Sequence, residues 1–339
     1  MDAGYKMDVK ITEGSWFGQK AWSLENRAIK IIVVPSIGAK IVSLFDKRTQ
    51  REWLVGPGQR TFQKVPYGAS FVEQDMSGWD EMYPTIVACQ YPAPGNNRGV
   101  PLPDHGEVWP LFWTQEQAEA GALRFSVDGV ALRYRLTRTL TCPDRDTVLM
   151  QYELHNLEQE PVPYLWSAHP QFYCDYEAQI ILPSEVVEVC NVLPKEWGWG
   201  EAETRFAWPE ATNFEGKRVR IDSVGPASRH QARKFFIPPD MSIGWAGLVR
   251  QTFGDWLLLE WDPDVIPYLG LWIDDGRISH ETVIALEPMT GYYDSLAIAW
   301  DKQRVAMIEP DEIRSWSLSI TLGTGEQLFP VEEDWSIRR

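Results

Sequence analysis

Three residues in this 339-residue chain combine a titratable side chain with a setting suited to proton transfer: His105, His169 and Glu287. His169 lies in YLWSAHPQF, at the end of an apolar run. Pro170 pushes the residue before it toward extended geometry and stops ladder pairing at the next residue. A histidine ending a core strand and facing a cleft is placed to move protons near neutral pH; a buried, hydrogen-bonded core histidine would have the same sequence setting. Glu287 lies in VIALEPMTGYYDSL. Alternation puts it on the face of Val283 and Ala285, with Ile284 and Leu286 on the other, at the mouth of an inner strand. Desolvation there would raise its pKa and make it a stronger base. The alternative is a carboxylate paired with an arginine or capping the turn made by Pro288 and Gly291. His105, in LPDHGEVW, has Asp104 and Glu107 near enough in sequence for either to hold its imidazole in one tautomer. The chemistry common to the three is general acid and base work.

Other chemistries find less support. The closest set of metal-ligand types is His105 with Glu107 at spacing two, a weak signal without HxxxH, HxH or cysteine pairs. No GxSxG elbow, GxxxxGK[ST] loop or GxGxxG turn is present. Neither a metal nor a cofactor is therefore expected. Cys89, Cys142, Cys174 and Cys190 are widely spaced and read as reduced thiols packed in the fold. His155, His230 and His280 read as surface residues. The net charge of −16 argues against a nucleic-acid partner, because phosphate backbones call for clustered Lys and Arg. MDAGYKMDVKITEG contains no apolar leader, and no window approaches the roughly eighteen apolar residues of a membrane span. A soluble cytoplasmic protein is the expectation. Seventeen Trp, twelve Tyr and thirteen Phe exceed what a core of this size needs, and a surplus of aromatics often lines sites where flat apolar ligand faces stack.

The elements that position these residues read as strands. Trp316, Leu318, Ile320 and Leu322 alternate with Ser315, Ser317, Ser319 and Thr321, the mark of a half-buried strand. TVLMQYELHNL does the same with Val148, Met150, Tyr152 and Leu154, and so does the segment holding Leu132, Tyr134 and Leu136. AIKIIVV from Ala28 and TVIAL from Thr282 are apolar on both faces and suit inner strands. Helical patterning is scarce. Long Pro- and Gly-rich loops intervene at 90–104 and 237–247, and loops of this length in a compact protein usually carry function. The prediction is an all-β chain, a large antiparallel β-sandwich forming one domain over 1–339, with long loops building a groove. A division near 156–163 is the weaker alternative.

The ordered motifs resemble those of the aldose 1-epimerase, or galactose mutarotase-like, superfamily. VVPSIGAKIVSLFDKRTQREWL (33–54) is similar to that group's opening, and SGWDEMYPT (77–85) to the Gly-rich segment before its first sugar-site loop. DHGEVW (104–109) resembles the first His-Gly motif, SAHPQF (167–172) the second histidine motif, ALEPMTG (285–291) the late glutamate motif and SWSLSITLG (315–323) the closing strand. DHGE replaces the commoner His-Gly-Gly pattern, the mark of a divergent branch whose sugar need not be galactose or glucose.

The resemblance implies a supersandwich fold, a sugar substrate, no cofactor and a proton-transfer mechanism. Glu287 would be the base at the anomeric hydroxyl, His169 the acid at the ring oxygen, and His105 a hydrogen-bonding partner of the sugar. Arg98, in Asn97-Arg98, stands for the family's sugar-gripping arginine. Asp274 stands for its sugar-binding aspartate, with Asp240, Asp255 and Asp262 as alternatives. Asp80 and Glu81 would accept hydroxyls, and Trp79 or Trp272 would offer a stacking face. The acidic balance disfavours a phosphorylated sugar. The rival readings are a carbohydrate-binding or regulatory β-sandwich without turnover, and a polysaccharide lyase or hydrolase.

Overall fold

Period-two sequence alternation becomes strand geometry across the chain. In the strand Ile313–Thr324, Trp316, Leu318, Ile320 and Leu322 are buried while Ser315 and Ser317 face solvent. In Thr147–Asn156 the buried set is Val148, Met150, Tyr152, Leu154 and Asn156. The computed structural model describes residues 9–58, 64–175, 178–197, 199–213 and 216–325. The start of the N-terminal stretch, residues 1–8, lies outside the described residues.

Among the described residues, antiparallel ladders build one sheet of thirteen strands and one of eight, with three small two-stranded sheets beside them. The larger sheet places Lys40–Asp46, Trp79–Met82, Ser167–Pro170, Thr282–Met289, Tyr268–Asp275 and Gln231–Phe236 side by side in that order. The smaller runs through Trp245–Arg250, Asp255–Trp261, Ile313–Thr324, Thr147–Asn156 and Tyr134–Thr141. The only α-helix among the described residues is Leu296–Asp301. No helix of the described residues is long and apolar enough to cross a membrane.

The main core cluster joins Ile284, Leu286, Leu271 and Ile273 of the larger sheet to Met150, Leu318 and Ile320 of the smaller. Buried area of this kind stabilises by about 25 cal/mol per Å² of apolar surface, so it is the dominant favourable contribution. One polar cluster crosses the same interior. Glu81 Oε1 accepts hydrogen bonds from Arg138 Nη1 at 2.8 Å and the Tyr152 hydroxyl at 2.9 Å, both on the smaller sheet. Its Oε2 accepts one from Trp166 Nε1 at 2.9 Å, and Arg138 also donates to the Ala39 carbonyl. Glu81 and Arg138 are both fully buried. This corrects the expectation that Glu81 accepts sugar hydroxyls: its carboxylate is consumed inside the sandwich. Trp79 is corrected likewise. It shares the inward face with Glu81, is 1% exposed, and packs edge-on against Phe172 in place of offering a stacking face. Cys89, Cys142, Cys174 and Cys190 are free thiols, all but Cys89 buried.

Candidate active site

Register decides which side chains meet. His169 pairs with Asp80 across one ladder, and Ser167, two residues earlier, pairs with Met289 across the other. Because residues opposite each other and residues two apart share a face, Asp80, His169 and Glu287 lie on the same side of the larger sheet, turned away from the smaller one. The row continues sideways. Glu287 faces Gly270, Ala285 faces Trp272, and Trp272 faces Lys234 on the next strand. The stripe, from Asp80 to Lys234, thus crosses five adjacent strands whose opposite face is core.

Within the stripe, His169 Nε2 stands 3.5 Å from Glu287 Oε1. His169 is 6% exposed and Glu287 fully buried, so the pair sits under cover. Part of that cover is aromatic. Phe71 stacks on His105 with ring centroids 4.1 Å apart and meets His169 edge-on at 5.3 Å, while the two imidazoles lie 5.8 Å apart. Asp104, not Glu107, holds His105: its Oδ1 is 2.8 Å from His105 Nδ1, and its Oδ2 accepts the Phe71 N–H at 2.9 Å. Glu107 is buried elsewhere, accepting from the Tyr67 hydroxyl and the Ala131 N–H. The glycine after His105 has a concrete cause. Gly106 has a φ of +74°, and a Cβ on it would come within 2.2 Å of the Tyr83 carbonyl oxygen.

Burial drives the electrostatics. It pushes the Glu287 carboxyl up to about 7, against the opposing pull of Lys234, and Asp294 adds to the rise. It holds His169 well below the ordinary histidine range, helped by the positive neighbours His105 and Lys234. The two members of the pair are therefore driven in opposite directions, the pattern that distinguishes acid from base in an active site. Asp104 behaves differently: burial would raise it, yet the hydrogen bonds and charge of His105 outweigh this and bring it to about 2.

The other expected site residues divide. Trp272 is half-buried on the site face, edge-on to Trp197 at 6.1 Å. Asp80 is on that face too, but Lys40 lies 3.2 Å from its Oδ2, and burial raises it to about 6 despite that partner. Asp274 is drawn into local structure. It accepts the backbone N–H groups of Arg277 at 2.6 Å, Ile278 at 3.1 Å and Ser279 at 2.8 Å, so it caps its own turn. Arg98 is exposed in the 90–104 loop, where Glu160 accepts the Asn96 N–H at 2.9 Å, and its side chain is not among the groups gathered around His169 and Glu287.

Three participants escaped the sequence reading. Lys234 lies 2.6 Å from Glu287 Oε2 and 2.8 Å from Asp294 Oδ1. Lys40 bridges Asp75 and Asp80. The available signal was a lysine inside an otherwise apolar strand, as in QARKFF and GAKIVSLF, because a buried ammonium requires partners. Phe71 had no such signal. Among the described residues, no group of three or more His, Cys, Asp or Glu is arranged to hold a metal.

Fold and site together define a β-sandwich with a covered histidine–glutamate pair on the outward face of its larger sheet. Several solved structures share the β-sandwich fold over almost their whole length. A galactose mutarotase-like protein from Lactobacillus casei matches with a TM-score of 0.63 at 17% identity, covering 89% of this chain and 100% of that one. A galactose mutarotase related enzyme from Lactobacillus acidophilus gives 0.63 at 13%, covering 90% and 98%. A galactose mutarotase-like protein from Clostridium acetobutylicum gives 0.63 at 13%, covering 94% and 99%. The chain has the galactose mutarotase-like fold. No family model matches it, and none of the curated proteins matches it in sequence.

Proposed function

We propose that the protein is an aldose 1-epimerase-like isomerase that interconverts the anomers of a free hexose or a related sugar. The observation that carries this reading is the facing pair, His169 Nε2 and Glu287 Oε1 at 3.5 Å, on one covered sheet face. In the forward direction Glu287 takes the proton of the anomeric hydroxyl while protonated His169 gives one to the ring oxygen. The bond from the anomeric carbon to the ring oxygen breaks, leaving an open-chain aldehyde. Rotation about the adjacent carbon–carbon bond exposes the other face, and reclosure returns both protons by the reverse route. His105, held by Asp104, is placed to hydrogen-bond the sugar. Protonated Glu287 beside neutral His169 is the ionisation that faces the aldehyde. Burial favours this uncharged arrangement, so the site stabilises the high-energy species on the path more than the closed sugar.

The working pair carries one proton, which sets the sign of the pH dependence. Raising the pH past about 7 strips that proton from Glu287, and kcat/KM is expected to fall. Lowering it far below the ordinary histidine range adds a second proton on His169, and kcat/KM falls again. A profile that climbs steadily above neutrality would remove the one-proton state from the mechanism.

Gly270 supplies a positional test. A Cβ there would lie 3.1 Å from Glu287 Oε2, close enough to shift the carboxylate. Gly270→Ala is expected to lower kcat roughly 10- to 100-fold, as small misplacements of a catalytic group do. A change confined to KM would mean that Gly270 only shapes the binding surface.

The activity itself is read by polarimetry, or by NMR exchange between anomers, on a panel of freshly dissolved aldoses. Acceleration over the spontaneous rate supports the isomerase. A sugar that raises the melting temperature without any acceleration would favour a carbohydrate-binding protein on the same scaffold.

A further inference from the structure

Lys234 is the unusual residue of the stripe. It lies in the strand Gln231–Phe236, with Arg233, Phe235 and Phe236 buried around it, and is itself 5% exposed. An ammonium so placed is costly unless paired. Its two partners are the carboxylates of Glu287 and Asp294, at 2.6 and 2.8 Å. The lysine therefore sits between a fully buried carboxylate and one that is only partly buried, whose side chain keeps 15% of its exposure. Contact with Lys234 is through Oε2 of Glu287, which leaves Oε1 as the oxygen turned to His169.

We propose that Lys234 is a positioning residue: it pins one oxygen of Glu287 so that the other faces His169, and Asp294, by sharing the same ammonium, sets how firmly it does so. This rests on the acid–base reading of Glu287. The groups facing Glu287 are few. Lys234 approaches from Gln231–Phe236, reaching past the intervening strand Tyr268–Asp275, Asp294 from the chain just beyond Met289, and His169 from the strand on the other side, while Gly270 opposite contributes no charge. Asp80 stands one strand beyond His169 and Lys40 on the strand after that, and His105 lies beyond His169. Among the direct neighbours that are described, Lys234 is the one permanent cation, and Asp294 is its competing anion.

Their charges make opposite demands on Glu287, so the two substitutions carry opposite signs. Lys234→Met removes the cation that holds the Glu287 carboxylate ionised, and the alkaline limb of the pH profile is expected to move up by about one unit or more, the usual effect of an opposite charge in contact. Asp294→Asn frees the ammonium for Glu287 alone and is expected to move the limb down. Lys234→Arg keeps the charge but changes its shape; the limb should stay near its wild-type position while kcat falls through misplacement of the carboxylate. The second readout is independent of turnover: the ¹³C carboxyl resonance of Glu287, assigned by its loss in Glu287→Gln, is titrated in each protein. Opposite displacements of that titration by Lys234→Met and Asp294→Asn establish the bridge. Displacement in the same direction, or loss of rate with neither limb nor resonance moved, would overturn it and leave Lys234 as structural support. Should Lys234→Met fail to fold, Lys234→Arg and Asp294→Asn still give the contrast. If the wild-type protein accelerates no aldose, the resonance reads the bridge while the isomerase reading fails by itself.

Discussion

Replacing Glu287 by Gln is expected to reduce the acceleration of anomer exchange by roughly 10²- to 10⁴-fold, the range for loss of a positioned acid or base. The amide keeps the volume and one acceptor oxygen of the carboxylate, so the buried stripe has no reason to repack. What it cannot do is take a proton from the anomeric hydroxyl. It also leaves Lys234 with Asp294 as its one remaining carboxylate partner of the two. His169→Asn removes the other half of the relay and should cost a similar factor. The two act as a unit, so the double variant should be little slower than either single one. The check is the initial rate of anomer exchange by NMR for wild type, both singles and the double. A Glu287→Gln protein retaining more than about a tenth of the wild-type rate would move the base elsewhere, and Asp80, beside His169 in the ladder, would be the first place to look.

The second large effect concerns stability. Arg138→Met is expected to cost about 3–5 kcal/mol of unfolding free energy, because it strands a buried carboxylate that has lost its cation. Glu81 would keep the Tyr152 and Trp166 donors, but neither carries charge, and burial already pushes its carboxyl up even with Arg138 present. Adding Glu81→Leu should recover much of the loss, since a matched apolar pair often replaces a buried ion pair at little cost. Denaturant unfolding of the two single variants and the double one measures the coupling. A double variant no more stable than Arg138→Met would mean that the cluster holds the two sheets in register, beyond balancing a charge.

The contrast between Glu81 and Asp80 shows where sequence reading works and where it stops. Strand alternation is local, so the apolar faces of Thr147–Asn156 and Ile313–Thr324 were readable from spacing alone. The same rule put Glu287 on the face of Val283 and Ala285, which is where the structure has it. It could not say that Glu81 points into the sandwich and Asp80 out of it, because a four-residue strand of WDEM offers no apolar rhythm. Pairing between distant segments is also invisible to spacing. His169 meets Glu287 because residues 167–170 lie beside residues 282–289, more than a hundred positions later. The order of motifs points to Asp274 as a sugar ligand; three backbone N–H groups claim it instead, a competition that only turn geometry reveals. The residue that shares a cation with Glu287 is Asp294, in the segment after the strand.

The catalytic candidates stand on neighbouring strands of a continuous sheet, and that turns the sheet into a ruler. Strands lie about 4.8 Å apart, so separations across the stripe come in steps of that length. A wider gap between acid and base cannot be reached by gradual drift of a side chain; it requires jumping to another strand. Descendants of this scaffold would therefore diversify by exchanging residues at fixed stations and by remodelling the overlying loops, while the distance between His169 and Glu287 stays where the ladder put it.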